Sequence, residues 1–467
     1  MRRNVPLSPT WRRSLGFGCA LAGLALPAVA LALAPQFQGL DEKAYLGATP
    51  SDPVSRLQAE IAAGRVKLAY DSKHGYLPAL LKALDIPIAS QTLVFSKTSF
   101  QHQAISRRAP RALYFNDDVY VGMVQGSKML EISAVDPDLG GVFYILNQDA
   151  GSKPKLARQT YDCLQCHNGG MTANVPGHVM RSVYPQADGT PDLTMGSRLT
   201  TDESPWKERW GGWYVTGKHG KMRHQGNEAV RDGGGFAYLD RDAGANVTDL
   251  SRYFDTTAYP SPHSDIVALM VLTHQVNVHN LIARARWQTL SALRSEQEIN
   301  KALGRPEDYR SETTDRVLAS VCEPLLRALL FSRADALTDP VKGTSGFAGW
   351  FAARGPRDAK GRSLREFDLK TRLFRYPCSF LVYSEAFDRL PDPAKHYLYA
   401  RLQAVLEGKD KHEDFAHLTA EDRAAVLDIL RETRPDFARW LASPVQNPKT
   451  SATALTESPA TGPPAKT

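Results

Sequence analysis

An α+β architecture is predicted, on three observations. Residues 92–147 hold short runs rich in β-branched and aromatic residues, split by turn residues. From about residue 263 the apolar spacing becomes helical. Between the two lies a stretch rich in Gly, Pro and polar loop residues, carrying Trp206, Trp210, Trp213 and Tyr214 as its aromatic content. The order expected is therefore an antiparallel β unit, a loop-rich segment, and a largely α-helical C-terminal half.

Along the chain, 53–64 and 76–85 read as short helices, with Leu77, Leu80, Leu81 and Leu84 at helical spacing. Strands are expected at Thr92–Phe95, Ala112–Phe115, Val119–Val124, Met129–Val135 and Gly141–Leu146. Asn116-Asp117-Asp118, Gln125-Gly126-Ser127 and Asp136-Pro137-Asp138 punctuate them as turns. Trp210–Val215 reads as a further strand, and Gly233-Gly234-Gly235 as a turn. Helices follow at 264–289, 294–304, 312–333, 381–388, 391–407, 420–433 and 434–442, with Pro391-Asp392-Pro393 and Thr419-Ala420-Glu421-Asp422 as start signals. The division expected is 1–32 a leader, 41–160 an α/β N-terminal domain, 161–245 the loop-rich segment, 246–446 the helical region, and 447–467 a Pro/Ser/Thr/Ala-rich disordered tail. No internal repeat is visible.

The leader reads as a secretory signal peptide. Arg2, Arg3, Arg12 and Arg13 precede an apolar run from Leu15 to Leu26, Pro27 breaks it, and Ala28, Ala30, Ala32 and Ala34 offer a small-x-small cut after Ala30 or Ala32. An uncleaved anchor is the alternative, since Leu15–Ala34 is about one membrane span long. Cys19 lies inside the apolar run, which argues against a lipoprotein. Without the four leader arginines, 53 basic residues face 50 acidic ones, and no basic block interleaved with aromatics appears, so nucleic acid is an unsuitable partner. The expected compartment is the periplasm, at most peripheral to its membrane.

Chemistry concentrates in Cys163-Leu164-Gln165-Cys166-His167. Two thiols and an imidazole at that spacing suit the addition of both sulfurs across the vinyl groups of a haem, with the adjacent His as proximal iron ligand. A redox dithiol is a second use of the pair; a zinc site lacks a second pair of ligands at finger-like distance. The five residues resemble the haem-attachment motif of c-type cytochromes, and the resemblance stops there. It implies one covalent haem c held by Cys163, Cys166 and His167, electron transfer as function, and a redox protein as partner. More than 400 residues is long for a small carrier, which keeps open a haem-dependent peroxidase or oxygenase with an open distal site, or a haem-based sensor.

The sixth iron position separates these readings. Met171 is too close in sequence to reach the far face; His178, Met180, Met195 and Met222 are not. The favoured candidates are His219 or His224, in Gly217-Lys218-His219-Gly220-Lys221-Met222-Arg223-His224, with His219 preferred because flanking glycines let its backbone approach a flat ring. His274 and His279, five apart on one helix, diverge by about 140° and cannot share one iron. Arg181, Arg198, Arg209 and Arg223 are candidate propionate anchors. Cys322 and Cys378 either pair, closing a loop worth about 4 kcal/mol, or stay buried thiols.

Overall fold

In the computed structural model, which describes residues 42–232 and 237–443, the strands of the front half fall close to where alternation and turn residues place them. In chain order they are β1 (Thr92–Val94), β2 (Arg111–Phe115), β3 (Val119–Met123), β4 (Met129–Asp136), β5 (Gly140–Asn147) and β6 (Leu156–Gln159). They are followed by β7 (Arg181–Val183), β8 (Ser197–Leu199), β9 (Trp213–Tyr214), β10 (Arg231–Asp232) and β11 (Ala237–Tyr238). Seven of them form one antiparallel sheet in the order β6-β5-β4-β3-β2-β1-β9; β7 pairs with β8 and β10 with β11. The hairpins are fixed by the expected turn chemistry. Asn116 Oδ1 accepts the amides of Asp118 (3.1 Å) and Val119 (2.9 Å), and Asp136 Oδ1 those of Asp138 and Leu139, both at 2.9 Å.

The sheet is buried on both faces, and the two-residue period sorts its side chains between two cores. Leu93, Tyr114, Val119 and Val121 join α2 (Pro53–Ala62) and α3 (Leu77–Ala83) on one side. Val94, Phe115 and Tyr120 face the helical half on the other. A short α1 (Glu42–Gly47) precedes these helices, and α4 (Leu164–His167) is a single turn after β6.

The helical half is organised by α5 (Ile266–Ala302), started by Asp265, whose carboxylate accepts the amides of Val267 (2.8 Å) and Ala268 (3.1 Å). Two separate helices were expected over this range; 290–293 (Leu-Ser-Ala-Leu) hold no breaker, so one helix of 37 residues results. It is the one described helix long and apolar enough to cross a membrane, and its apolar stretch lies inside the fold. Behind it come α6 (Glu312–Leu329), α7 (Phe347–Ala352), α8 (Glu385–Asp388), α9 (Asp392–Leu406), α10 (Ala420–Thr433) and α11 (Pro435–Ala442). The helix expected at 381–388 divides, because Ser384 ends a 3₁₀ turn at Phe380–Tyr383 and caps α8. Cys322 and Cys378 are separate buried thiols, not a bridge. Cys322 lies on α6 facing the Ala394 carbonyl of α9, and burial pushes each thiol up to about 12.

The expected loop-rich segment is organised, over its described residues, by short ladders, one α-helical turn and three 3₁₀ turns, and β9 from within it completes the sheet's edge beside β1. The leader at 1–32, the glycine turn at 233–235 and the tail at 447–467 lie outside the described residues.

Candidate haem-attachment site

The motif sits on one turn of helix. The amides of Cys166 (3.2 Å) and His167 (3.0 Å) both close on the Cys163 carbonyl, which gathers Cys163, Cys166 and His167 on neighbouring positions of the turn. Leu164 is the buried anchor, Cys163 is half-buried and Cys166 is exposed, and both thiols are free. Burial, then the carboxylates of Glu131 and Asp162, push the Cys163 thiol up to about 11. In a dithiol of thioredoxin type the reactive thiol is lowered instead.

His167 is oriented by the loop that follows. Its Nδ1 lies 2.9 Å from the Gly177 carbonyl. A carbonyl only accepts, so Nδ1 carries the hydrogen and Nε2 keeps its lone pair, the tautomer a metal requires. Burial holds the ring's pKa below the usual range, and Phe143 packs against it with centroids 4.8 Å apart. The Gly177 amide returns to the His167 carbonyl at 2.9 Å. Asn280 of α5 then clamps the next residue: its Oδ1 accepts the His178 amide (2.9 Å) and its Nδ2 donates to the His178 carbonyl (2.7 Å). A Cβ at Gly177 would come within 2.3 Å of Asn280 Oδ1, so this close approach requires glycine.

Around His167 the interior holds polar atoms without partners. Both amide atoms of Asn168, both ring nitrogens of His178 and Nε2 of His279 are buried and make no hydrogen bond among the described residues. Such atoms cost free energy, and native interiors hold few of them. Two free thiols and the free Nε2 of His167 on one helical turn are the donor set that a covalently attached haem would use. Sequence reasoning did not find Phe143, Gly177, Tyr120 or Asn280. The signal for Asn280 was present: with Thr273, His274, Gln275 and His279 it is one of the buried polar positions in the mostly apolar first half of the helix.

The candidates for the sixth position lie in a different setting. His219 has both ring nitrogens engaged, Nδ1 with the Met222 carbonyl and Nε2 with the Asn246 amide, each at 2.9 Å. His224 accepts the Gly226 amide on Nδ1 (3.0 Å) and keeps a buried, unpartnered Nε2. Neither ring offers a free lone pair: both nitrogens of His219 are engaged, and with Nδ1 accepting from Gly226 the hydrogen of His224 sits on Nε2. Their rings lie 4.8 Å apart and pack on Trp206 and Trp210. The flanking glycines serve the protein's own packing: a Cβ at Gly217 would meet Ile266 at 2.4 Å, and one at Gly220 would meet Asp339 at 2.5 Å.

His274 is fully partnered, Nδ1 with Asp202 Oδ2 and Nε2 with Ser379 Oγ, both at 2.7 Å. Met180 and Met222 are core residues, and Met171 is exposed. The four arginines each have protein partners: Arg181 bonds Ser197, Arg198 bonds Glu208 and Arg223 bonds Asp242. Arg209, buried against Trp206, bonds the carbonyls of Ser204 and Asp202. A cavity of about 310 Å³ bounded by Asp202, Arg209, Met270, Phe331 and Phe374 has no lining residue from 163–178. No protein-family model, no curated protein and no solved structure matches the chain.

Proposed function

We propose that this chain is an exported c-type cytochrome carrying one haem, bound through Cys163 and Cys166 and ligated by His167, that passes electrons to a redox protein in the periplasm. The observation that carries the reading is the hydrogen bond from His167 Nδ1 to the Gly177 carbonyl, beside two free thiols on the same helical turn. A haem so bound supplies one-electron cycling between ferric and ferrous iron. The chain's own part is positional. Gly177 fixes the tautomer and basicity of His167, Asn280 fixes Gly177 by holding His178, and Phe143 shields the ring from water. The leader argues for export and the near balance of charge against a nucleic-acid partner.

A second reading, a haem enzyme whose sixth position is open, is favoured by one observation: His219 would have to surrender the Asn246 amide to bind iron. Two measurements test both readings. After acid-acetone extraction the haem should stay on the polypeptide, and Cys163→Ala or Cys166→Ala should weaken or abolish that retention. Complete release from the intact chain sinks the c-type assignment. Carbon monoxide should leave the reduced spectrum of a carrier unchanged; ready binding selects the enzyme.

A further inference from the structure

Beside the attachment turn the fold buries a phenol against an imidazole. Tyr120, on β3, accepts a hydrogen bond from Gln275 Nε2 at 2.9 Å. The amide of Gln275 cannot be turned the other way, because the same Nε2 donates to the Asn116 carbonyl at 3.0 Å. The acceptor left for the phenolic hydrogen is Nδ1 of His279, 2.9 Å away. His279 is therefore the tautomer with its hydrogen on Nε2, a nitrogen with no partner in the interior.

The pair lies in ring contact with the attachment site. Tyr120 is 4.5 Å from the ring of His178, His178 is 6.0 Å from Phe143, and Phe143 is 4.8 Å from His167. A phenol yields an electron readily only when its proton leaves in the same step, since the cation it would otherwise form is a strong acid. A neutral imidazole already within hydrogen-bond reach is the base that step needs. Burial holds the pKa of His279 down to about 3, so its ring is unprotonated at neutral pH, and the same burial excludes water as a competing base.

We propose that Tyr120 is a one-electron donor to the haem at His167, with its phenolic proton passing to Nδ1 of His279. The proposal rests on the haem reading, deepens its enzyme form, and names a hydroperoxide as the oxidant. The hydroperoxide takes two electrons and two solvent protons to give an alcohol and water. Tyr120 provides one of these electrons, becoming a neutral phenoxyl radical as His279 takes up its proton; the other would come from a haem held by Cys163, Cys166 and His167.

The pair is testable without haem. In a Cys19→Ser, Cys163→Ala chain, Cys166 is the exposed thiol left to carry a ruthenium tris-bipyridine photo-oxidant, since Cys322 and Cys378 are buried. A flash with an external electron acceptor, followed by freezing, should give a tyrosyl electron paramagnetic resonance signal that narrows with ring-deuterated tyrosine. Tyr120→Phe should abolish it. His279→Gln, which keeps an acceptor but not a base, should cut the yield about tenfold or more. A signal that survives Tyr120→Phe, or a full yield from His279→Gln, overturns the proposal. Hydroperoxide added to the haem-loaded protein should raise the same Tyr120-dependent signal; a flash signal without a peroxide signal overturns the link to haem. A chain without covalent haem defeats the earlier reading and leaves the flash result standing.

Discussion

His274 and His279 lie five residues apart on α5, both buried, and the protein treats them in opposite ways. The turn of about 140° between them points His274 toward the helical half and His279 toward the sheet. On the helical side both nitrogens of His274 are used, by Asp202 and Ser379, and Phe331 stacks on the ring at 4.3 Å. On the sheet side His279 uses one nitrogen and the neighbouring His178 none. A closed set of hydrogen bonds is what a core needs for stability; unpartnered imidazoles are a cost retained beside the cysteines and His167. The difference separates a histidine whose hydrogen bonds hold the fold from histidines with ring nitrogens left unengaged among the described residues.

The largest effect should come from breaking the closed side. His274→Leu leaves the Asp202 carboxylate and the Ser379 hydroxyl without their partner in the interior, at a cost of about 3 kcal/mol. Urea unfolding followed by circular dichroism should show it as a lower midpoint with unchanged slope. A loss below 1 kcal/mol would place His274 among the histidines of the open side.

Acidification should act on the open side. Burial lowers the pKa values of His178, His224 and His279, the last to about 3. Above the unfolded-state value of about 6.5 these rings are neutral folded or unfolded and stability does not depend on them. Below it the unfolded chain binds protons that the folded chain refuses, so stability falls with pH. For His279 the loss by pH 5 is about 2 kcal/mol, from about 1.4 kcal/mol per pH unit. Urea midpoints from pH 7.5 to 5 should fall accordingly, and His279→Gln should flatten the slope. A midpoint independent of pH over this range would mean that these rings are already charged or solvated.

The same contrast explains what was legible in the sequence. The hairpins were readable because Asn116 and Asp136 act locally, through amides two and three residues on. The grouping of Cys163, Cys166 and His167 on one turn was readable because its parts are contiguous. The join of two expected helices into α5 was not, because it depends on the absence of a breaker rather than the presence of a signal. Nor were the partners of the histidines. His219 met its partner at Asn246 and His274 at Asp202 and Ser379, each brought in from far along the chain. Flanking glycines at 217 and 220 looked like room for a ring, whereas Ile266 and Asp339 fill that room. Spacing shows which residues have the right chemistry; tertiary contacts decide which of them are already engaged.

The smallest effect should be at His178. Its ring has no hydrogen bond to lose, and its backbone is held by Asn280 whatever side chain it carries. Leu fills a similar volume among Tyr120 and Phe143, and it removes two buried polar atoms without stranding a partner. His178→Leu should therefore shift the urea midpoint at pH 7.5 by less than about 1 kcal/mol. At pH 5 the variant should be the more stable protein, because its unfolded state no longer gains a proton at this position. The crossing of the two pH curves is the signature to look for. A loss at pH 7.5 as large as that of His274→Leu would show that the ring of His178 is held after all, by a ligand, and would move this histidine to the same side of the comparison as His274.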